Sequence, residues 1–170
     1  MRVIAAALSL TCSLAWAFSY AWWVTARIEP QGTKYDGVPV GTLAIPLSSL
    51  TLLSCAGSTA TFTLEQCADV EANSARFEAS GDFNKDKKPD IARVGVAELK
   101  RGGLVRVLLI GTKNKPKQHQ MFKLPENGFS ALLGEDPLTW YQCMECGHGA
   151  DIKWDAAKRK YVLEWGEDYG

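Results

Sequence analysis

The sequence lacks the usual signals of an enzyme or of a nucleic-acid-binding protein. Lysine plus arginine and aspartate plus glutamate are equal at 19 each, so no excess of positive charge indicates a nucleic-acid partner. The chain has only two histidines, and no Gly-x-Ser-x-Gly nucleophile elbow occurs. It also shows no internal repeat. These absences favour a binding or structural module over an enzyme.

One long apolar segment opens the chain. No charged residue occurs from Val3 to Ala26, and Ala15-Trp16-Ala17 fits the small-x-small pattern of signal-peptide cleavage. The apolar run is also long enough, at about 20 residues, to span a bilayer. Trp22 and Trp23 near its end are typical of a membrane interface. Residues 1–27 are therefore predicted to be a signal peptide or a signal-anchor helix, which places the rest outside the cytoplasm. That location is periplasmic or in the cell envelope, and the protein is either anchored in the inner membrane or secreted.

The remaining chain is predicted to be a linker, residues 28–40, followed by a β-rich domain, residues 41–170. Short apolar runs between turn residues predict a mostly β fold, a small β-sandwich or barrel-like sheet with minor helix. It is preceded by the one N-terminal hydrophobic helix. A helix is expected at Leu64–Ala72 and a helical turn at Phe129–Leu133. The predicted strands are Leu43–Ile45, Leu50–Ser54, Ala60–Leu64, Ala75–Ala79, Ile91–Leu99, Leu104–Ile110, Gln120–Lys123, Ile152–Trp154 and Tyr161–Trp165.

An oxygen-rich loop lies between two of these strands, in the segment from Gly81 to Ala92. Closely spaced carboxylate and amide oxygens suit Ca²⁺, which takes several hard oxygen ligands in flexible geometry. The EF-hand pattern fails, because Lys87 stands where its glycine belongs and Arg93 where its bidentate glutamate belongs. The side chains concerned are Asp82, Asn84, Asp86 and Asp90.

The segment Gly81-Asp82-Phe83-Asn84-x-Asp86-x-x-Pro89-Asp90-Ile91-Ala92 resembles the calcium loop of the FG-GAP/VCBS repeat family of integrin-type β-propellers. The resemblance implies a loop between two β-strands and a single Ca²⁺ site. One copy cannot build a propeller, and Lys87 replaces the usual glycine, so we expect weak binding, of the order of 10⁻⁴–10⁻³ M. The alternative is a polar turn in which the side chains cap their own backbone. The ligands implied by the resemblance are the side chains of Asp82, Asn84, Asp86 and Asp90 and the backbone carbonyl of Lys88.

Cysteine usage agrees with export. Besides Cys12 in the apolar segment, the chain has four cysteines, which allow three disulfide connectivities. We favour the two local pairs, Cys55 with Cys67 and Cys143 with Cys146. A haem-attachment motif is excluded because Gly147 stands where histidine is needed. Two alternatives stay open: a redox pair at Cys143 and Cys146, and a zinc site formed by Cys143, Cys146, His148 and His119.

The sequence therefore predicts an exported, membrane-tethered, β-rich binding or structural module with a weak Ca²⁺ site. Its partner would be a protein or another component of the cell envelope, and the membrane is contacted only through an uncleaved N-terminal helix. Two alternatives remain: a periplasmic inhibitor or immunity-like protein that docks a protein partner, and a thiol-disulfide protein that uses Cys143 and Cys146.

Overall fold

The computed structural model describes residues 21–143 and 147–166. Their fold is mostly β, as predicted, with little helix. The helices are α1 (Trp22–Thr25) and α2 (Leu64–Ala72), with 3₁₀ turns at Val40–Thr42, Gly57–Thr59 and Pro116–Gln118. The strands are β1 (Lys34–Tyr35), β2 (Val38–Pro39), β3 (Leu47–Leu52), β4 (Glu78–Gly81), β5 (Asp90–Leu99), β6 (Leu104–Thr112), β7 (Gln120–Pro125), β8 (Ala131–Leu133), β9 (Leu138–Tyr141), β10 (Gly149–Asp155) and β11 (Lys160–Trp165).

The larger sheet is antiparallel and has the order β3-β5-β6-β7, with β4 also paired to β5. The β5–β6 hairpin is its centre, with nine paired positions from Asp90 opposite Thr112 to Glu98 opposite Leu104. Gly102 and Gly103 turn this hairpin at positive φ, which glycine adopts without a Cβ clash. Both faces of the hairpin are buried, which explains why its two strands read as continuous apolar runs in the sequence.

The smaller sheet has the order β11-β10-β9-β8 and covers one face of the larger sheet. Its inward side chains, including Leu132, Trp140 and Ile152, share one apolar cluster with Val94 and Leu108 of the larger sheet. Trp140 is completely buried. The two sheets therefore form a small sandwich, one of the two architectures expected from the sequence.

The opposite face of the larger sheet is covered by the segment before β3. Tyr35, Val40, Leu43 and Leu47 pack there in a second apolar cluster, and Tyr35 is 1% exposed. The predicted linker at residues 28–40 therefore contains the two-stranded β1–β2 sheet and buried side chains.

The residues just before this segment also pack on the domain. Trp22 and Trp23 contact an aromatic cluster that includes Phe62 and Phe129, and the Trp22 indole N–H donates to the Asp69 carboxylate at 2.9 Å. Trp23 is thus buried in the apolar cluster and the partly buried Trp22 packs against it, while their position at a membrane interface stays a prediction. The predicted hydrophobic helix before residue 21 lies outside the described residues. Within the described part of the chain, no helix has the length and apolarity needed to cross a bilayer.

Several local predictions are confirmed and others are wrong. The helix at Leu64–Ala72 forms at the predicted bounds because Thr63 and Gln66 make a capping box at its start. The predicted strand at Ala60–Leu64 is wrong because that stretch supplies this cap. Leu43–Ile45 is not a strand, although Leu43 is buried. The predicted helical turn at Phe129–Leu133 is wrong, since Ala131–Leu133 pairs with β9 as a strand.

Candidate metal centre

The oxygen-rich loop connects β4 to β5 as a hairpin connection. Gly81 and Asp90 are the last paired residues of the two strands, and residues 82–89 connect them. Lys85 and Lys87 have positive φ values of 59° and 65°. The left-handed backbone at Lys87 is the conformation for which a glycine is preferred, and it costs roughly 1–2 kcal/mol for a residue with a Cβ. The loop therefore turns tightly although lysines, and not glycines, occupy its two positions of positive φ.

The loop is held by its own backbone N–H groups. The Lys87 N–H donates to Asp82 Oδ2 at 2.9 Å, the Asp86 N–H to Asn84 Oδ1 at 2.9 Å, and the Lys88 N–H to Asp86 Oδ1 at 2.9 Å. Asp86 Oδ2 lies 3.6 Å from the Lys88 ammonium group. Thus Asp82 and Asp86 each use one carboxylate oxygen to shape the backbone, and the second oxygen of Asp86 faces the Lys88 ammonium group.

Asp90 differs from the other loop carboxylates because it is completely buried. Its Oδ2 accepts hydrogen bonds from the N–H groups of Phe83 at 3.1 Å and Asn84 at 3.4 Å, and from the Tyr161 hydroxyl at 2.8 Å. Its Oδ1 is also buried and has no hydrogen-bond partner in the structure. A buried carboxylate oxygen that accepts no hydrogen bond is unfavourable, because no donor compensates its removal from water.

Tyr161 connects this loop to the smaller sheet. Burial and the hydrogen bond to Asp90 both raise the pKa of the Tyr161 hydroxyl, so this group stays protonated and donates. Its backbone N–H and carbonyl bind the side-chain amide of Gln120 on β7, at 2.9 and 2.8 Å. Neither Tyr161 nor Gln120 was predicted to belong to the site. In the sequence both residues have only the pattern of a strand. Their role in the site could not be predicted because the contacts join residues 71 and 41 positions apart.

All five predicted ligand residues lie in this one loop, but their acidic side chains do not form a ready-made metal cluster. Among residues 21–143 and 147–166, no group of three or more histidine, cysteine, aspartate or glutamate side chains is placed to hold a metal ion. The chemistry still fits a hard cation, since Asp90 Oδ1 lacks a partner and Asn84 and the carboxylates offer oxygen only.

Arg93, which occupies the last ligand position of the EF-hand pattern, has a separate structural role. Its Nε donates to Glu78 at 2.7 Å, and its Nη1 binds both carboxylate oxygens of Asp36 at 2.8 and 2.7 Å. The guanidinium also lies 5.9 Å from the centroid of the Tyr35 ring. Arg93 thus connects β5 to β4 and to the β1–β2 turn, in agreement with the rejection of an EF-hand.

The cysteines follow the sequence prediction where they are described. Cys55 and Cys67 form a disulfide that joins the loop after β3 to helix α2. Cys143 is also disulfide-bonded. Its predicted partner, Cys146, lies outside the described residues, so the Cys143–Cys146 pair stays a prediction.

His119, one candidate zinc ligand, has both ring nitrogens in hydrogen bonds and is 4% exposed. Nε2 lies 2.9 Å from the Thr112 carbonyl and therefore carries the proton, whereas Nδ1 accepts from the Tyr35 hydroxyl at 2.8 Å. Burial lowers the pKa of His119, which keeps the ring neutral. These bonds hold the buried ring between β6 and β1, and they leave no nitrogen for zinc.

Comparison with known proteins gives no relative to guide the assignment: no family model, no curated protein and no solved structure matches the chain.

Proposed function

We propose that this chain is an exported β-rich binding or structural module whose Asp82–Asp90 loop binds Ca²⁺. The observation that carries the proposal is the buried Asp90 carboxylate, whose Oδ1 has no partner. The cation would be held by side-chain oxygens of this loop together with the Lys88 carbonyl that the family resemblance implies. Bound Ca²⁺ would supply a positive charge beside Asp90 Oδ1, which accepts no hydrogen bond from the described residues.

A polar turn without a cation explains the loop less well. In such a turn the carboxylates cap nearby N–H groups and their remaining oxygens face water. Asp82 and Asp86 fit that description, because both are exposed. Asp90 differs, because its carboxylate is buried and its Oδ1 accepts no hydrogen bond from the described residues. Three donors bind Asp90 Oδ2, and a bound cation would compensate the removal of the buried Oδ1 from water.

The expected role of Ca²⁺ is to stabilise the fold. The loop closes the β4–β5 hairpin, and Asp90 binds Tyr161 of the other sheet, so the cation would stabilise both the hairpin and the contact between the sheets. Lys85, Lys87 and Lys88 surround the loop with positive charge, which supports weak binding, of the order of 10⁻⁴–10⁻³ M. At a Ca²⁺ concentration tenfold above Kd, the stabilisation is about 1.4 kcal/mol.

Calorimetric titration and thermal unfolding with Ca²⁺ test this proposal. We expect binding heat and a rise in Tm of about 3–6 °C at tenfold saturation. Asp86→Ala should abolish both effects. Asp155→Ala is the matched control, because Asp155 also caps a turn through the Lys158 N–H but lies in another hairpin. The proposal fails if millimolar Ca²⁺ produces neither heat nor stabilisation, or if the Asp86 variant still responds.

Export is supported by the Cys55–Cys67 disulfide and by the apolar segment at the start of the chain. Cleavage after Ala17 would leave Trp22 and Trp23 with the domain, where both pack in the core. We therefore favour processing at Ala17 over retention of an anchor. Sequencing the amino terminus of the protein purified from an envelope fraction tests this, and a terminus at Met1 would contradict it.

A further inference from the structure

Strand β4 has one edge paired and one edge open. The Val94 N–H donates to the Phe77 carbonyl, which places Phe77 in a hydrogen-bonded pair with β5. Because such pairs alternate along an antiparallel ladder, the backbones of Ala79 and Gly81 face β5. Those of Glu78 and Ser80 face the other side. There, in the described part of the chain, their N–H and carbonyl groups have no hydrogen-bond partner.

The open edge begins where the two sheets separate. Arg76, just before β4, exchanges two backbone hydrogen bonds with Leu132 of β8, at 2.9 and 2.7 Å. This is an isolated bridge, and no described strand continues the pairing along Glu78–Gly81. The bridge therefore shows that this edge of the chain accepts an antiparallel partner, and that the outward backbone groups of Glu78 and Ser80 are left without one.

A groove runs along the open edge, and its cavity volume of about 450 Å³ lies in the range of ligand pockets. Its far wall is the β8–β9 turn with Glu135 and Asp136, and its apolar lining includes Leu138 and Ile152. Four acidic and two basic side chains line the groove, and the ion pairs of Glu78 with Arg93 and of Glu135 with Arg76 offset part of this charge, so the groove is weakly acidic. The acidic lining residues are Glu78, Asp82, Glu135 and Asp136, and the basic lining residues are Arg76 and Lys85.

The edge is protected by its shortness, since β4 has four residues, but it lacks other devices that normally keep an exposed strand from pairing. Natural edge strands often carry a lysine or proline or an inward-pointing charge. Strand β4 reads Glu-Ala-Ser-Gly, and its inward side chain Ala79 is buried and small. The charge of Glu78 is held by Arg93 on the β5 side. The small side chain of Ala79 therefore offers no steric barrier to a second strand, whereas the Arg76 side chain, which binds the Gly134 carbonyl and Glu135, would have to move aside.

We propose that the open edge of β4 binds an extended basic peptide segment of a protein partner by strand addition. Backbone groups of Glu78 and Ser80 would pair with the peptide, as in other sheets that accept an added strand. Alternate peptide side chains would face the apolar floor at Leu138 and Ile152, and the intervening lysines or arginines would face the groove carboxylates. The partner chemistry is thus an alternating basic and apolar segment.

Fluorescence anisotropy with a labelled peptide of sequence Lys-Val-Lys-Val-Lys tests this proposal, in a buffer that contains a chelator so that the calcium loop does not contribute. We expect saturable binding to the full chain at or below about 1 mM. Ser80→Pro removes the outward N–H without touching the β5 ladder, and should weaken binding about tenfold. Ser80→Ala keeps that N–H and is the matched control.

Glu135→Lys is a second variant that introduces no proline into a strand. The fold should tolerate it, because the Glu135 side chain is 90% exposed. It should weaken binding about threefold, and more salt should reduce the difference from the wild type. Three results would overturn the proposal: no saturable binding of the basic peptide, equal binding of a Glu-Val-Glu-Val-Glu peptide, or unchanged binding by both folded variants. Dimerisation of the protein that is blocked by Ser80→Pro would also overturn it, since the edge would then serve a second copy of the chain.

Discussion

The hydrogen bond from Tyr161 to Asp90 gives the sharpest stability prediction. Tyr161→Phe removes only the hydroxyl, because the phenylalanine ring keeps the contact with Trp154, whose ring centroid lies 5.0 Å away. A hydrogen bond to a charged acceptor contributes about 1.5–3 kcal/mol. Asp90 Oδ2 retains the N–H of Phe83 at 3.1 Å, so we expect the lower part of this range, about 2 kcal/mol. That loss corresponds to a fall in Tm of about 4–8 °C.

Urea unfolding and calorimetry in the absence of Ca²⁺ measure this loss. Tyr141→Phe is the matched control, because Tyr141 lies in the same sheet and its hydroxyl has no hydrogen-bond partner among the described residues. The control should change the free energy of unfolding by less than about 0.5 kcal/mol. A double-mutant cycle with Asp90→Asn should give a coupling energy of about 1 kcal/mol. If Tyr161→Phe matches the control, or if the two changes are additive, the proposed connection between loop and sheet is wrong.

Three further predictions concern other parts of the fold. Lys87→Gly should stabilise the protein by up to about 1 kcal/mol in urea unfolding, because Lys87 has positive φ, and it should tighten Ca²⁺ binding. Replacing both Cys55 and Cys67 with serine should lower the free energy of unfolding by about 2–4 kcal/mol, measured against the oxidised wild type. His119 should make the protein less stable at low pH. Its pKa is lowered in the folded state, so below about pH 6.5 the unfolded chain binds a proton that the folded chain does not. Stability is therefore fully present above that pH and is lost as pH falls, and a His119→Gln variant should show a flatter profile.

The central hairpin and helix α2 could be predicted because their signals are local. Strands β5 and β6 are largely apolar runs on either side of Gly102-Gly103, and this pattern identifies a hairpin without any knowledge of the tertiary structure. Helix α2 begins at a capping box that is readable from Thr63 and Gln66 alone. In both cases the residues that determine the element lie within it.

The wrong predictions concern elements whose structure depends on distant partners. Ala131–Leu133 is a strand because β9 and the isolated bridge at Arg76 pair with it, although three residues carry little strand signal of their own. The segment at residues 28–40 contains glycines and prolines typical of a linker, yet Tyr35 is buried against the larger sheet and binds His119, 84 positions away. Trp22 and Trp23 were predicted to lie at a membrane interface, because an apolar run in a sequence does not show whether lipid or protein covers it. In the structure both pack against the apolar cluster of the domain.

The candidate site shows the same division between local and distant information. The loop residues were predicted together because they are neighbours in sequence, and the resemblance to a calcium loop rests on them alone. The burial of Asp90 is a tertiary property, since Tyr161 of the other sheet binds it. Asp90 therefore contributes to two things at once, the proposed cation site and the contact between the sheets, and a substitution there alters both. Asp86 and Tyr161 separate them: Asp86→Ala should remove the Ca²⁺ response with little effect on the contact between the sheets, and Tyr161→Phe should weaken that contact and leave the loop oxygens in place.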